Sequence, residues 1–176
     1  VYDFTVINDF PSLTHLAAFG QNHGDYAPVT TIKNNQLELL NDNTLFIPFS
    51  LMPNRLTNFD GYQPPFTSST ASSDLVVYIN NTRIDNSRLA NVSTGITITG
   101  YDTTSFYDIT HFSFNTRYNN LAGTYATPPN FTFYAISSGV YYQEFNVNSE
   151  VIITAEPSIT YDQYDEVTEA EFLATI

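Results

Sequence analysis

The sequence predicts an all-β chain: an antiparallel β-sandwich, Ig-like or jelly-roll-like, with an extended N-terminal strand. Three observations carry that expectation. Apolar and polar residues alternate at period two in one segment after another, turn signals separate those segments at short spacing, and only the last dozen residues have helical character. The chain is read as an N-terminal strand, residues 1–12, followed by a single sandwich domain, residues 13–176, that ends in an acidic tail.

The first segment, VYDFTVINDF, places Tyr2, Phe4, Val6 and Phe10 on one face of an extended chain and Asp3, Thr5 and Asp9 on the other. Residues 29–33 and 36–40 flank Asn34-Asn35, a pair suited to the φ > 0 positions of a tight hairpin. Residues 45–49 follow the Asn41-Asp42-Asn43 turn, with Pro48 placing that strand at an edge or a bulge. Residues 75–79 form a continuous apolar run, suited to a central strand, that ends at Asn80-Asn81. Residues 96–99 leave the Ser93-Thr94-Gly95 turn, and 106–114 read as one long strand. Residues 131–136 and 140–147, separated by Ser137-Ser138-Gly139, read as a hairpin, and 151–155 as a further strand. Residues 54–73 and 118–129 are rich in Gly, Pro, Ser and Thr and read as loops, while 165–176 is the helical segment.

A single domain of 176 residues buries roughly 70% of its unfolded surface, so it needs no staple, and it contains no cysteine to supply one. Charged residues make up only 13% of the chain, against about 25% in ordinary soluble domains. Solubility is carried instead by 18 Asn and 23 Thr, groups that do not titrate. Lys33, Arg55, Arg83, Arg88 and Arg117 are the only strong bases, and the net charge of −13 argues against nucleic-acid and anionic-membrane partners. Below about pH 3 most carboxylates are protonated, and so few ion pairs suit an extracellular protein of an acidic habitat. No run approaches the ~20 apolar residues of a membrane span. A start at Val1 rather than Met reads as a mature product whose leader was removed, or as an excised domain.

Chemistry-bearing motifs are sparse. His15, His23 and His111 form no HExxH or other metal spacing, no GxSxG elbow occurs, and Asp60-Gly61 and residues 162–166 do not match a calcium loop. Hence no enzyme, no cofactor and no metal is expected. The carboxylate separation that glycoside hydrolysis requires is spatial, so the sequence does not address it. Arg117 reads as a solvated surface charge. The absence of Trp weakens a sugar-stacking reading, and most of the 13 Tyr and 14 Phe are assigned to the core. Three sequons, at Asn80, Asn91 and Asn130, fall at predicted turns or strand ends where a glycan would project.

The N-terminal strand admits two readings: it pairs within its own sandwich, or it fills a groove in a neighbouring copy by donor-strand complementation. Burial of Tyr2, Phe4, Val6 and Phe10 in trans would supply about 6–12 kcal/mol gross, and a ten-residue strand reaches about 33 Å. With its Asn/Thr/Tyr richness, few charges, lack of Cys, three sequons and leading strand VYDFTVINDF, the chain resembles the extracellular filament (thread or pilus) subunits of thermoacidophilic archaea. That resemblance implies a secreted, glycosylated homopolymer at the cell surface, used for adhesion or cell contact, with Tyr2, Phe4, Val6 and Phe10 as donor residues and identical subunits as partners. A viral capsid or spike domain and a secreted carbohydrate-binding domain are the alternatives.

Overall fold

The computed structural model describes residues 1–23, 29–52, 55–119, 121, 124 and 130–149, and shows two sheets enclosing one hydrophobic core. The strands are β1 (His15–His23), β2 (Thr30–Lys33), β3 (Glu38–Leu40), β4 (Thr44–Pro48), β5 (Leu75–Ile79), β6 (Thr82–Arg83), β7 (Leu89–Val92), β8 (Gly95–Thr99), β9 (His111–Arg117) and β10 (Phe133–Asn148). One sheet runs β3-β4-β8-β7; the other runs β1-β10-β9-β5-β6, with β2 also on β10. Setting aside β1, β2 and β6 and lettering the rest A to G in chain order, the sheets read A-B-E-D and C-F-G. That is the strand order of a constant-type immunoglobulin sandwich, so of the two expected topologies the Ig-like one is realised.

Period-two burial explains why the sheets close on each other. Leu45 and Ile47 of β4 and Ile96 and Ile98 of β8 are fully buried, facing Leu75 and Val77 of β5 and the aromatic residues of β9 and β10. Phe112 and Phe145 lie 4.6 Å apart between centroids at 15°, and Phe114 stacks on Tyr141 at 6.0 Å and 17°. Phe145 and Phe112 are direct cross-strand partners, while Phe114, paired with Gln143, meets Tyr141 diagonally, two residues along β10.

Turn chemistry lies where local sequence signals it. Asn80 and Asn81, at φ 49° and 63°, turn the β5–β6 hairpin, and Asn43 at φ 59° turns β3 into β4. Pro48 does not put β4 at an edge as expected: β4 lies between β3 and β8, and the proline is tolerated because it is the strand's last residue.

Other expectations are corrected. Asn34-Asn35 turns no hairpin: it starts a 3-10 turn, Asn34–Gln36, that carries the chain from β2 in one sheet to β3 in the other. Residues 106–114 are not one strand, because Asp102 caps a short helix, α1 (Thr103–Tyr107), through a reciprocal box with Ser105. Ser137-Ser138-Gly139 is no turn either, since β10 runs through it. Its first half is paired by β1 and its second by β9 and β2, and this continuous pairing overrides the local turn signal. Gly139 serves close packing instead: a Cβ there would meet the Tyr118 ring at 2.8 Å. The strand expected at 151–155 and the helix at 165–176 lie outside the described residues.

Gly95 is the tighter glycine. A Cβ there would overlap both the Ile47 carbonyl and the Phe46 ring, and the carbonyl belongs to the paired strand β4 and cannot retreat. Gly95→Ala is expected to destabilise by about 1–3 kcal/mol, read by chemical denaturation.

The pH response follows from a few groups. Hydrogen bonds from Ser69 and Ser73, and then the Arg117 charge, hold Asp74 below the usual carboxylate range. Thr5 does the same for Asp3, Ser87 for Asp85 and Ser105 for Asp102. Their contribution is present above the ordinary carboxylate range and is lost as pH falls through the lowered values. Thermal melts should therefore be nearly flat from neutrality to about pH 4 and decline below it. At the other end, burial pushes the Tyr118 phenol up to about 12, opposed by the hydrogen bond it accepts from the Leu56 amide. That contribution is intact below about pH 10 and lost towards 12, so alkaline unfolding should track phenolate absorbance.

Candidate assembly interface

The N-terminal segment is built from an early turn. The Asp3 carboxylate accepts the Thr5 amide at 2.9 Å and the Thr5 hydroxyl at 2.6 Å, which bends the chain just where period-two alternation would extend it. Residues Thr5–Asp9 accordingly form a 3-10 turn, and the strand expected across residues 2–10 is corrected to a bridge and a turn. The bridge joins Asp3 to Thr57 in parallel, with the Phe4 amide on the Thr57 carbonyl at 2.9 Å and the Thr57 amide on the Tyr2 carbonyl at 2.7 Å.

The four residues expected to share one face therefore separate. Phe4 is buried against Phe59, their rings 5.6 Å apart, while Tyr2, Val6 and Phe10 are 51%, 46% and 56% exposed. Val1 is exposed as well. Within the first ten residues four apolar side chains, Val1, Tyr2, Val6 and Phe10, are thus exposed.

After Pro11 the chain reaches the edge of the Ig-like unit. The Thr14 carbonyl accepts the amides of Thr132 and Phe133, and β1 then pairs β10 in parallel from His15↔Phe133 to His23↔Tyr141. β2 continues along the same edge from Thr30↔Phe145 to Lys33↔Asn148, tied by Gln143 Nε2 donating to Thr30 Oγ1 at 2.9 Å. Residues 15–23 are not among the segments read as strands from the sequence; their pairing depends on a partner more than one hundred residues away.

The sequons also separate. Asn91 is buried, its Nδ2 donating to the Thr67 carbonyl at 2.6 Å and Thr116 Oγ1 at 3.0 Å, so the glycan site expected there is corrected to a structural amide. Asn80 is exposed, but its side chain bridges to the start of β9: Nδ2 donates to the Asp108 carbonyl, and Oδ1 accepts from the amides of Thr110 and His111. Asn130 is exposed with one 3.2 Å bond to the Pro11 carbonyl. Asn80→Ala should cost about 1–2 kcal/mol in urea unfolding, because the bridging bonds and the φ > 0 tolerance go together.

The remaining polar candidates are dispersed. His15 touches Thr14 and stacks on Phe133, His111 lies 3.8 Å from Glu144, and His23 stands at the end of β1 opposite Tyr141. Asp60 accepts the Tyr62 amide within its own turn. Among the described residues no three His, Cys, Asp or Glu side chains gather as a metal site, and residues 162–166 fall outside the description. Arg117 is not a lone charge: its Nε binds Asp74 Oδ1 at 3.1 Å. No helix among the described residues is long and apolar enough to cross a membrane.

The Ig-like unit, β3 to β10, is also the part of the chain that a known family describes. Residues 39–147 match the family model of the Internalin K domain D2. The chain belongs to this family. Internalin domains are typically extracellular or surface-associated, and the D2 match stops at the sandwich, leaving the N-terminal segment with β1 and β2 as an addition along its edge. No curated protein matches the chain.

Proposed function

We propose that this internalin D2-type domain is an extracellular structural and adhesive module, not an enzyme, that assembles with copies of itself through its N-terminal segment. The observation that carries the reading is the exposed apolar set Val1, Tyr2, Val6 and Phe10, lying outside the family-matched sandwich. A second copy is the occupant because the strand that follows this segment, β1, already runs along the β10 edge in cis. A parallel ladder there is satisfied equally by residues 15–23 of another chain, as in strand exchange. Repeated from copy to copy, that exchange gives a filament. Asn130 is the sequon best placed to carry a glycan, its amide being exposed near the segment's exit.

The test uses positions that the lone chain leaves exposed. Tyr2→Ser, Val6→Ser and Phe10→Ser combined should leave monomer stability within about 1.5 kcal/mol, since each is a surface change. Assembly, followed by light scattering and electron microscopy, should be lost. An unaltered chain that stays monomeric at high concentration, or a triple variant that assembles as before, refutes the proposal.

A further inference from the structure

Five strands end a sheet or lie along its side: β1, β2 and β6 in one sheet, β3 and β7 in the other. Four of them are short and charge-marked, the form of edge that discourages pairing with another chain. β6 has two residues and carries Arg83, β3 has three and carries Glu38, β2 has four and ends on Lys33, and β7 has four and directly follows Arg88. β1 lacks every such device. It has nine residues, HLAAFGQNH, with no Asp, Glu, Lys, Arg or Pro among them. β10 takes one of its edges, and among the described residues no strand takes the other.

The surroundings of β1 are uncharged as well. Residues 10–24 and 118–143, which supply β1 and the half of β10 paired with it, contain no Asp, Glu, Lys or Arg, so all 18 acidic and 5 basic side chains lie elsewhere. At a net charge of −13 two copies repel each other wherever carboxylates are dense, and this ribbon is where they approach at least cost. Leu16 and Ala18 pack on the core while His15 and Ala17 are exposed, so β1 stays seated when its outer edge is taken.

A backbone edge accepts any strand, and the occupant is selected by what can come close. An identical edge brings the same lack of charge. Laid antiparallel on itself about a two-fold axis, a strand also matches its donors to its acceptors by symmetry. We infer that the outer edge of β1 is a self-pairing surface: two copies join β1 to β1, antiparallel, so that their sheets run on as one. The contact leaves β1 on β10 and uses neither Tyr2, Val6 nor Phe10, so it goes beyond the assembly proposed above and stands independently of it.

The experiment uses the full chain with Tyr2→Ser, Val6→Ser and Phe10→Ser, which removes contacts through the N-terminal segment. Sedimentation velocity should show a monomer–dimer equilibrium with a dissociation constant of about 10 µM to 1 mM, as suits a small interface, and no growth past the dimer, because a two-fold contact closes on itself. The alternate β1 amides that point away from β10 should exchange at least threefold more slowly in concentrated than in dilute samples, with β3 and β7 amides unchanged. Ala17→Glu, at an exposed position, should raise the dissociation constant tenfold or more at an unchanged melting temperature. Val92→Glu adds the same charge at the β7 edge, where Val92 is exposed, and should leave the constant within twofold. A chain that stays monomeric at about a millimolar, outward β1 amides protected equally at every dilution, protection that appears at β3 or β7 instead, or an Ala17→Glu dimer as tight as before overturns the inference.

Discussion

Phe145→Ala is expected to cost about 3–5 kcal/mol, a drop of roughly 6–20 °C in Tm for a chain of this length. The ring is fully buried, stacked on Phe112 at 4.6 Å and close to Phe114 at 6.0 Å, so its loss removes both the apolar transfer term and the stacking contribution. The cavity cannot collapse easily, because its walls are strand residues held by pairing on both sides: β10 is bonded to β9 and β2 at that point. Phe133→Ala, on the same strand but 49% exposed, is the control and should stay within about 0.5 kcal/mol. Equal losses from the two substitutions in urea titration would contradict the placement of the core.

Asn91→Ala should cost about 2–4 kcal/mol, because two acceptors lose their donor and do not regain water. Asn91 on β7 reaches the Thr67 carbonyl and Thr116 Oγ1 on β9, tying the two sheets together where both partners are covered. Asn91→Asp should be worse at neutral pH and partly recover towards pH 5, since burial raises a carboxyl's pKa and protonation removes the charge. A buried amide also takes no glycan without being displaced, so mass spectrometry of glycosylated material should find Asn91 unmodified. A stable Asn91→Ala variant carried by intact folding would refute the bridging role.

The candidate sites were legible in proportion to how local their signals are. The Asn80-Asn81 hairpin and the Asn43 turn were readable because φ > 0 tolerance belongs to the residue itself. The sequon at Asn91 was equally readable as a motif and misleading as a site, because its burial is decided by Thr67 and Thr116, 24 and 25 residues away. Among Tyr2, Phe4, Val6 and Phe10 the alternation was real, but a two-residue turn at Asp3 broke the shared face. Arg55 gave no sequence signal beyond being one of few cations. Its stacking on Phe49 and Phe66 and its bond to the Pro64 carbonyl are properties of the packed chain.

By itself the sequence determined the β class, the single sandwich core and the positions of the tight asparagine turns, because period-two burial and backbone tolerance act over a few residues. Only the tertiary structure decided that β1 and β2 line the β10 edge, that Ser137-Ser138-Gly139 passes straight through a strand, and that Gly95 yields its space to Phe46. Those outcomes depend on which distant backbone supplies the hydrogen bonds and which side chain needs the room, and contacts of that kind exist only once the sheets have closed.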